Sequence, residues 1–259
     1  MTGLIDTHCH LDAAEFDGDR YDVVRRAAAA DVGAIVVPAV ERANFGAVAS
    51  VCREYPGCVP AFGIHPMFVG QAREEDLDAL RLSLRDGTPI AVGEIGLDLF
   101  IPEPDVARQE FYFSAQLKIA RELGLPVLLH VRKAVDAVLK QLRLIPVVGG
   151  IAHAFNGSRQ QAEEFIRLGF KLGFGGAMTH QRATHLRDLA TTLPLAAIVL
   201  ETDAPDIPPA WLPADRRRNE PGELARIAAV LADLRGMALA EVIAATTANA
   251  RAVLTALPA

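Results

Sequence analysis

His8 and His10 stand one residue apart in the segment Asp6-Thr7-His8-Cys9-His10. On an extended strand alternate side chains share a face, so both imidazoles point one way and Cys9 the other. Two imidazoles so placed can hold one metal ion. Further groups of the same kind stand at the ends of short apolar runs: Gly63-Ile64-His65-Pro66, Gly93-Glu94-Ile95-Gly96, Leu129-His130-Val131-Arg132, Ala152-His153-Ala154-Phe155 and Leu200-Glu201-Thr202-Asp203. Taken singly, a strand-end histidine is usually a hydrogen-bonded structural residue and an aspartate before a proline region is a turn former. Taken together, His8, His10, Glu94, His130, His153 and Asp203 form a metal-ligand set. Imidazole and carboxylate without cysteine suit zinc, manganese or magnesium, and do not suit an iron–sulfur or copper(I) centre. Six ligands exceed what one hydrolytic zinc uses, whereas two divalent ions sharing Glu94 as a bridge leave positions open for water. Such a pair holds a bridging hydroxide at neutral pH and neutralises a leaving oxygen, so hydrolysis follows and redox chemistry does not.

The elements that must bring these groups together are legible in the hydrophobic pattern. Eight short apolar runs, at 4–8, 34–38, 59–65, 90–94, 127–130, 147–153, 171–174 and 197–201, read as strands. Stretches with apolar residues at three and four spacing, at 19–30, 44–55, 75–84, 105–123, 134–142 and 158–168, read as helices between them, and two more, at 223–234 and 239–257, close the chain. Gly33, Gly124 and Gly169 mark helix ends, and Ser158 is placed to cap a helix start. Strands alternating with helices imply a parallel sheet, and eight units in this length predict a single (β/α)8 TIM barrel over 1–259, with its active site at the C-terminal mouth of the strands. A doubly wound open sheet is the competing architecture; neither a dinucleotide-binding turn nor a P-loop is present.

The chain has 259 residues, 51% of them hydrophobic and 22% charged, which excludes disorder, collagen and coiled coil. No apolar run reaches the roughly 18 residues of a membrane span, and the first residues lack the pattern of a secretory signal, so a cytoplasmic location is expected. Three cysteines, Cys9, Cys52 and Cys58, fit a reducing compartment rather than a disulfide framework. A net charge of −6 argues against coating nucleic acid by bulk electrostatics. It does not exclude local binding of phosphate, because two divalent ions bring four positive charges to the reacting anion.

The segments Asp6-Thr7-His8-Cys9-His10-Leu11-Asp12, Gly63 to Pro66, Gly93-Glu94-Ile95-Gly96-Leu97-Asp98, His130-Val131-Arg132, His153 to Ser158, Glu201-Thr202-Asp203-Ala204-Pro205 and Arg218-Asn219-Glu220-Pro221 occur in the order seen in one family. The chain resembles the TatD family of metal-dependent deoxyribonucleases, within the amidohydrolase-like barrels. The resemblance implies that His8, His10 and Asp203 hold one ion, His130 and His153 the other, and Glu94 bridges them. It implies that His65 contacts the scissile phosphate, and that Asp203 also orients or deprotonates the attacking water. Arg132 and Arg218 are candidate phosphate clamps, with pairing to Asp98 or Glu220 as the alternative use. Arg216, Arg217 and Arg218 form a basic cluster that could steer an anionic strand, and Trp211, Phe100 and Phe155 could stack a base. Many members carry other residues where this chain has Leu99-Phe100 and Ala154-Phe155-Asn156, so substrate contacts there do not transfer with the ligands.

The resemblance implies a phosphodiester hydrolase, a DNase trimming DNA ends from the 3′ side, with DNA, single-stranded or at an end, as its partner and two divalent ions (Zn, Mg or Mn) as cofactors. Two alternatives remain open: a hydrolase of small amides, lactones or aminoacyl-tRNA esters with the same metals, and a non-catalytic metal-binding scaffold.

Overall fold

Strands covered on both faces must be apolar on both, and the observed strands read that way: all eight residues of one of them, Ala91–Asp98, are buried. A computed structural model describes residues 3–213, 215 and 218–257. The elements run β1 (Leu4–Asp6), α1 (Arg20–Ala29), β2 (Val32–Pro38), α2 (Phe45–Glu54), β3 (Cys58–Phe62), α3 (Glu75–Asp86), β4 (Ala91–Asp98), α4 (Val106–Leu123) and β5 (Val127–Arg132). They continue with α5 (Val135–Leu144), β6 (Gly150–Ala152), α6 (Arg159–Arg167), β7 (Phe170–Phe174), α7 (Thr184–Thr192), β8 (Ile198–Leu200), α8 (Leu224–Arg235) and α9 (Leu239–Val253). All neighbouring strands pair in parallel, in the order β1 to β8. The seam between β8 and β1 is closed by Thr7 N–H to Leu200 O at 3.1 Å, Asp203 N–H to His8 O at 2.8 Å and His10 N–H to Ala204 O at 2.8 Å. The architecture is the expected (β/α)8 barrel, not the open sheet.

Helix α7 is an element the hydrophobic pattern did not reveal. Thr184, Thr191 and Thr192 are poor helix formers, and only Leu186, Leu189 and Ala190 are buried along it, so its apolar stripe is short and interrupted. It packs against α8, and that tertiary packing outweighs the weak local propensity.

Two apolar layers hold the barrel. The outer one lies between strands and helices. The inner one gathers Ile5, Ala34, Val36, Ala61, Ala91, Leu128, Ile151 and Val199 from seven of the eight strands, together with Ala250, Leu254 and Leu257 from the C-terminal segment. Helix α9 thereby plugs the end of the barrel where the strands begin, and its Asn249 amide donates to the carbonyls of Leu195 and Ile198 at 2.8 Å each. With that end filled by side chains, only the opposite end opens to solvent, and there the polar groups collect.

Among the described residues no helix is long and apolar enough to cross a membrane.

Candidate metal centre and active site

In β5 and β6 the inward positions Leu128 and Ile151 are followed two residues later by His130 and His153, so simple alternation carries both imidazoles to the mouth. Strand β4 needs more than alternation. Ala91 faces the inner core while Val92, Ile95 and Leu97 all face the outer one. An unbroken two-residue repeat from Ala91 would send Glu94 outward. The pairing with β5 shifts register between Val92 and Ile95, and this bulge turns Glu94, Gly96 and Asp98 inward. Gly96, at φ 150°, lies where a Cβ would come within 1.9 Å of the His130 carbonyl oxygen, so only glycine fits beside that histidine. His65 is set by a buried glutamine on α4: Gln116 accepts from Ile64 N–H at 2.7 Å and donates to Ile64 O at 3.0 Å.

Glu94 stands at the centre, 1% exposed, and its two oxygens divide the histidines between them. Oε2 lies 3.1 Å from His8 Nε2 and 3.6 Å from His10 Nε2. Oε1 lies 2.9 Å from His130 Nδ1, 2.9 Å from His153 Nε2 and 3.5 Å from His65 Nε2. Asp203 joins the first group, its Oδ1 being 3.6 Å from His8 Nε2 and 3.8 Å from His10 Nε2, with His153 Nδ1 at 3.9 Å. Asp203 adopts φ 56°, a left-handed conformation that a non-glycine residue holds only when its surroundings impose it.

The electrostatics are those of a compact ligand cluster. Burial alone would raise the Glu94 carboxyl, but the charges of His153, His65 and His8 and the hydrogen bond from His130 outweigh it and hold the group well below the usual carboxylate range. Burial, aided by the nearby His153 charge, pushes His8 down to about 3. Burial also opposes protonation of His153, yet Glu94 and Asp203 hold it well above the ordinary histidine value. The His8 and His153 rings stack with centroids 3.9 Å apart, and two stacked imidazoles do not both carry a proton's charge comfortably. Burial raises Asp203 to about 6 against the pull of His153 and His10.

His8 Nδ1, His153 Nδ1 and Glu201 Oε2 are buried without a hydrogen-bond partner. Three sets of donors, His8 with Glu94 and His153, His8 with His10 and Asp203, and His65 with Glu94 and His130, each have their ligand atoms within 4.8 Å of one another. Close-packed imidazole nitrogens and carboxylate oxygens, some left unpartnered, fit divalent cations.

The residues singled out in the sequence do not all converge. His8, His10, His65, Glu94, His130, His153 and Asp203 do. Arg132 lies on the rim of the same cavity, a mouth of about 1320 Å³. Arg218 does not line it: its guanidinium donates to Asp19 Oδ1 and Oδ2 at 2.7 Å each and to Glu15 O at 2.7 Å. The structure thus puts Arg218 to the loop-fixing use, with Asp19 on α1's flank as partner, rather than to phosphate clamping. Arg216 and Arg217 lie outside the described residues. Trp211 is committed to Glu223 through its indole N–H at 2.7 Å, and Phe155 is buried against Phe165.

Three acids were not singled out. Asp98, fully buried, accepts from His130 Nε2 at 3.0 Å and thereby leaves Nδ1 to face Glu94. Its signal was its place four residues beyond Glu94 on the same strand face. Glu201 accepts from Ala154 N–H and lies 3.7 Å from His153 Nδ1; alternation from Asp203 would have found it. Asp6 accepts from the backbone N–H groups of His8 at 3.2 Å and Thr202 at 2.9 Å, tying the His8 and Asp203 segments together.

Residues 5–255 match the family model of TatD-related DNases. The chain belongs to that family. As a TatD-related protein it is a metal-dependent hydrolase, and the family's DNase chemistry places it among hydrolases of ester bonds. It is 43% identical over 236 residues to the metal-dependent hydrolase YjjV of Escherichia coli K12, covering 90% of each chain. It is 34% identical over 254 residues to the 3′-5′ ssDNA/RNA exonuclease TatD of Klebsiella pneumoniae, covering 96% of each. The crystal structure of the E. coli YjjV protein superposes with a TM-score of 0.94 at 40% identity, covering 98% of this chain and 99% of that one. These TatD-related proteins extend the likeness from motif to the whole barrel.

Proposed function

We propose that the chain hydrolyses phosphodiester bonds at the ends of single-stranded nucleic acid, releasing nucleotides from the 3′ side, with two divalent cations held at the barrel mouth. The observation that carries this reading is the division of Glu94: one oxygen faces His8 and His10, the other faces His130 and His153. His8, His10 and Asp203 would hold one cation, His130 and His153 the other, and Glu94 both. Cations bound there supply positive charge for the phosphate oxygens and lower the pKa of water so that it attacks at neutral pH.

The protein's own groups do the rest. Asp98 holds His130 in the tautomer that presents Nδ1 to the site. Asp203, on the cavity wall beside His8 and His10, is placed to receive a proton at its carboxylate from the attacking water. His65, 5% exposed and on the cavity wall, donates a hydrogen bond to a non-bridging phosphate oxygen. A carboxylate in the bridging place, in a site lined by imidazoles, supports phosphodiesters over amides and lactones, and the exonuclease activity named for the Klebsiella relative supports a nucleic-acid strand as substrate.

Metal-stripped protein resupplied with Mg²⁺, Mn²⁺ or Zn²⁺ is expected to shorten a 5′-labelled single-stranded oligonucleotide one nucleotide at a time, and Glu94→Ala to lower that rate at least about 100-fold. Turnover confined to amides or lactones would contradict the reading.

A further inference from the structure

Phe100 is a large aromatic residue left 57% exposed on the rim of the reaction cavity. Phe155 is 3% exposed, and Trp211 lies outside the cavity lining with its indole N–H committed to Glu223 at 2.7 Å, whereas Phe100 stands on the cavity rim with much of its ring in solvent. Arg132 lies over the Phe100 ring with its guanidinium carbon 4.1 Å from the centroid. Among the described residues Arg132 makes no ion pair within 4.0 Å, and its charge acts on Asp98 from farther off, helping to lower that carboxyl. Met67, 54% exposed, and Lys133 line the same rim.

This pair is rigidly registered to the metal-ligand cluster. Asp98, which orients His130 through one carboxylate oxygen, accepts from Phe100 N–H at 2.9 Å through the other. Leu99 N–H donates to Arg132 O at 2.9 Å, and Arg132 pairs with Asp98 across β4 and β5, two residues beyond the pairing of His130 with Gly96. A ring held so close to the reacting centre, yet left in water, pays a solvation cost that burial of a ligand would recover.

Resting on the phosphodiesterase reading above, we propose that Phe100 and Arg132 form a stacking platform for the unpaired nucleobase of the nucleotide next to the scissile phosphate, with Arg132 also facing the adjoining phosphate. An arginine guanidinium on an aromatic face widens the π surface and adds positive charge. Base stacking on such a surface is tolerant of sequence and supplies affinity that a chain of net charge −6 does not gain from bulk electrostatics. A base inside a duplex is already stacked between its neighbours and must be unstacked before it can use the platform, which gives single strands the advantage.

The test uses full-length protein reconstituted with Mn²⁺ and 5′-labelled single strands whose second nucleotide from the 3′ end carries a base or a tetrahydrofuran abasic analogue. Removing that base is expected to lower kcat/KM about tenfold in the wild type, mainly through KM. In Phe100→Ala the ratio between the two strands should collapse to within about twofold, and in Phe100→Trp it should return. A wild type that cleaves both strands equally well, or a Phe100→Ala variant that keeps the full tenfold ratio, overturns the platform while leaving the phosphodiesterase reading intact. Failure of the wild type to shorten either strand overturns both.

Discussion

Gly173 on β7 shows how a residue without a side chain supports the chemistry of another. A Cβ built there would lie 2.0 Å from Glu201 Oε2 and 2.6 Å from Oε1, so the carboxylate rests directly on the glycine backbone. From that place Glu201 accepts the Ala154 N–H, holding Ala154 at φ 43° immediately after His153. Gly173→Ala therefore displaces Glu201 and, through it, His153. The expected result is a loss of stability of about 1–3 kcal/mol in urea unfolding and a fall in activity larger than the stability loss explains at saturating metal. A Gly173→Ala protein with wild-type turnover would show that Glu201 does not position His153. The same scale explains what could be read from residue types alone. His8, His10, His65, Glu94, His130, His153 and Asp203 were legible because each is a chemically conspicuous group at the end of an apolar run. Asp98, Glu201 and Asp6 were not, because a carboxylate that orients a ligand looks in sequence like any strand-end acid, and its role rests on a hydrogen bond across the barrel.

At the scale of elements, the strands and most helices follow from periodicity, while the details that aim the site do not. The bulge in β4 that turns Glu94 inward leaves no mark in hydropathy, since Val92 and Ile95 are apolar either way. Helix α7 was obscured by its threonines. The connection from β8 to α8 is fixed to α1 by another device, an ion network in which Arg218 and Arg26 both engage Asp19, and Arg26 also engages Glu220. The hydrogen bond from Arg218, with further help from Arg26, lowers the Asp19 carboxyl from 3.8 to about 2. A carboxylate whose pKa is lower in the folded state stabilises above its unfolded value, near 3.9, and that stabilisation is lost as pH falls through about 2. Because Asp19 is a third exposed, solvent screening reduces the contribution to under about 1 kcal/mol. Asp19→Asn is accordingly expected to lower stability by that amount at pH 7 and by clearly less at pH 2, as followed by denaturant midpoints across pH. An equal loss at both pH values would mean that Asp19 acts through packing and not through charge.

For the molecule as a whole, the barrel closes one end with apolar side chains from α9 and gathers its buried acids and imidazoles at the other. Glu94, Asp98, Glu201 and Asp6 are each 1% exposed or less, and burying carboxylates so close together is costly unless positive charge accompanies them. The histidines supply part of that charge and bound cations would supply the remainder, so metal binding comes before any substrate. Titration of metal-stripped protein with Mn²⁺ in a calorimeter, beside Glu94→Ala, tests it most directly. The wild type is expected to bind two equivalents per chain, and the variant to bind at both positions at least about tenfold more weakly. A wild type that binds one equivalent or none, or a Glu94→Ala protein that still takes up two with unchanged affinity, would contradict it.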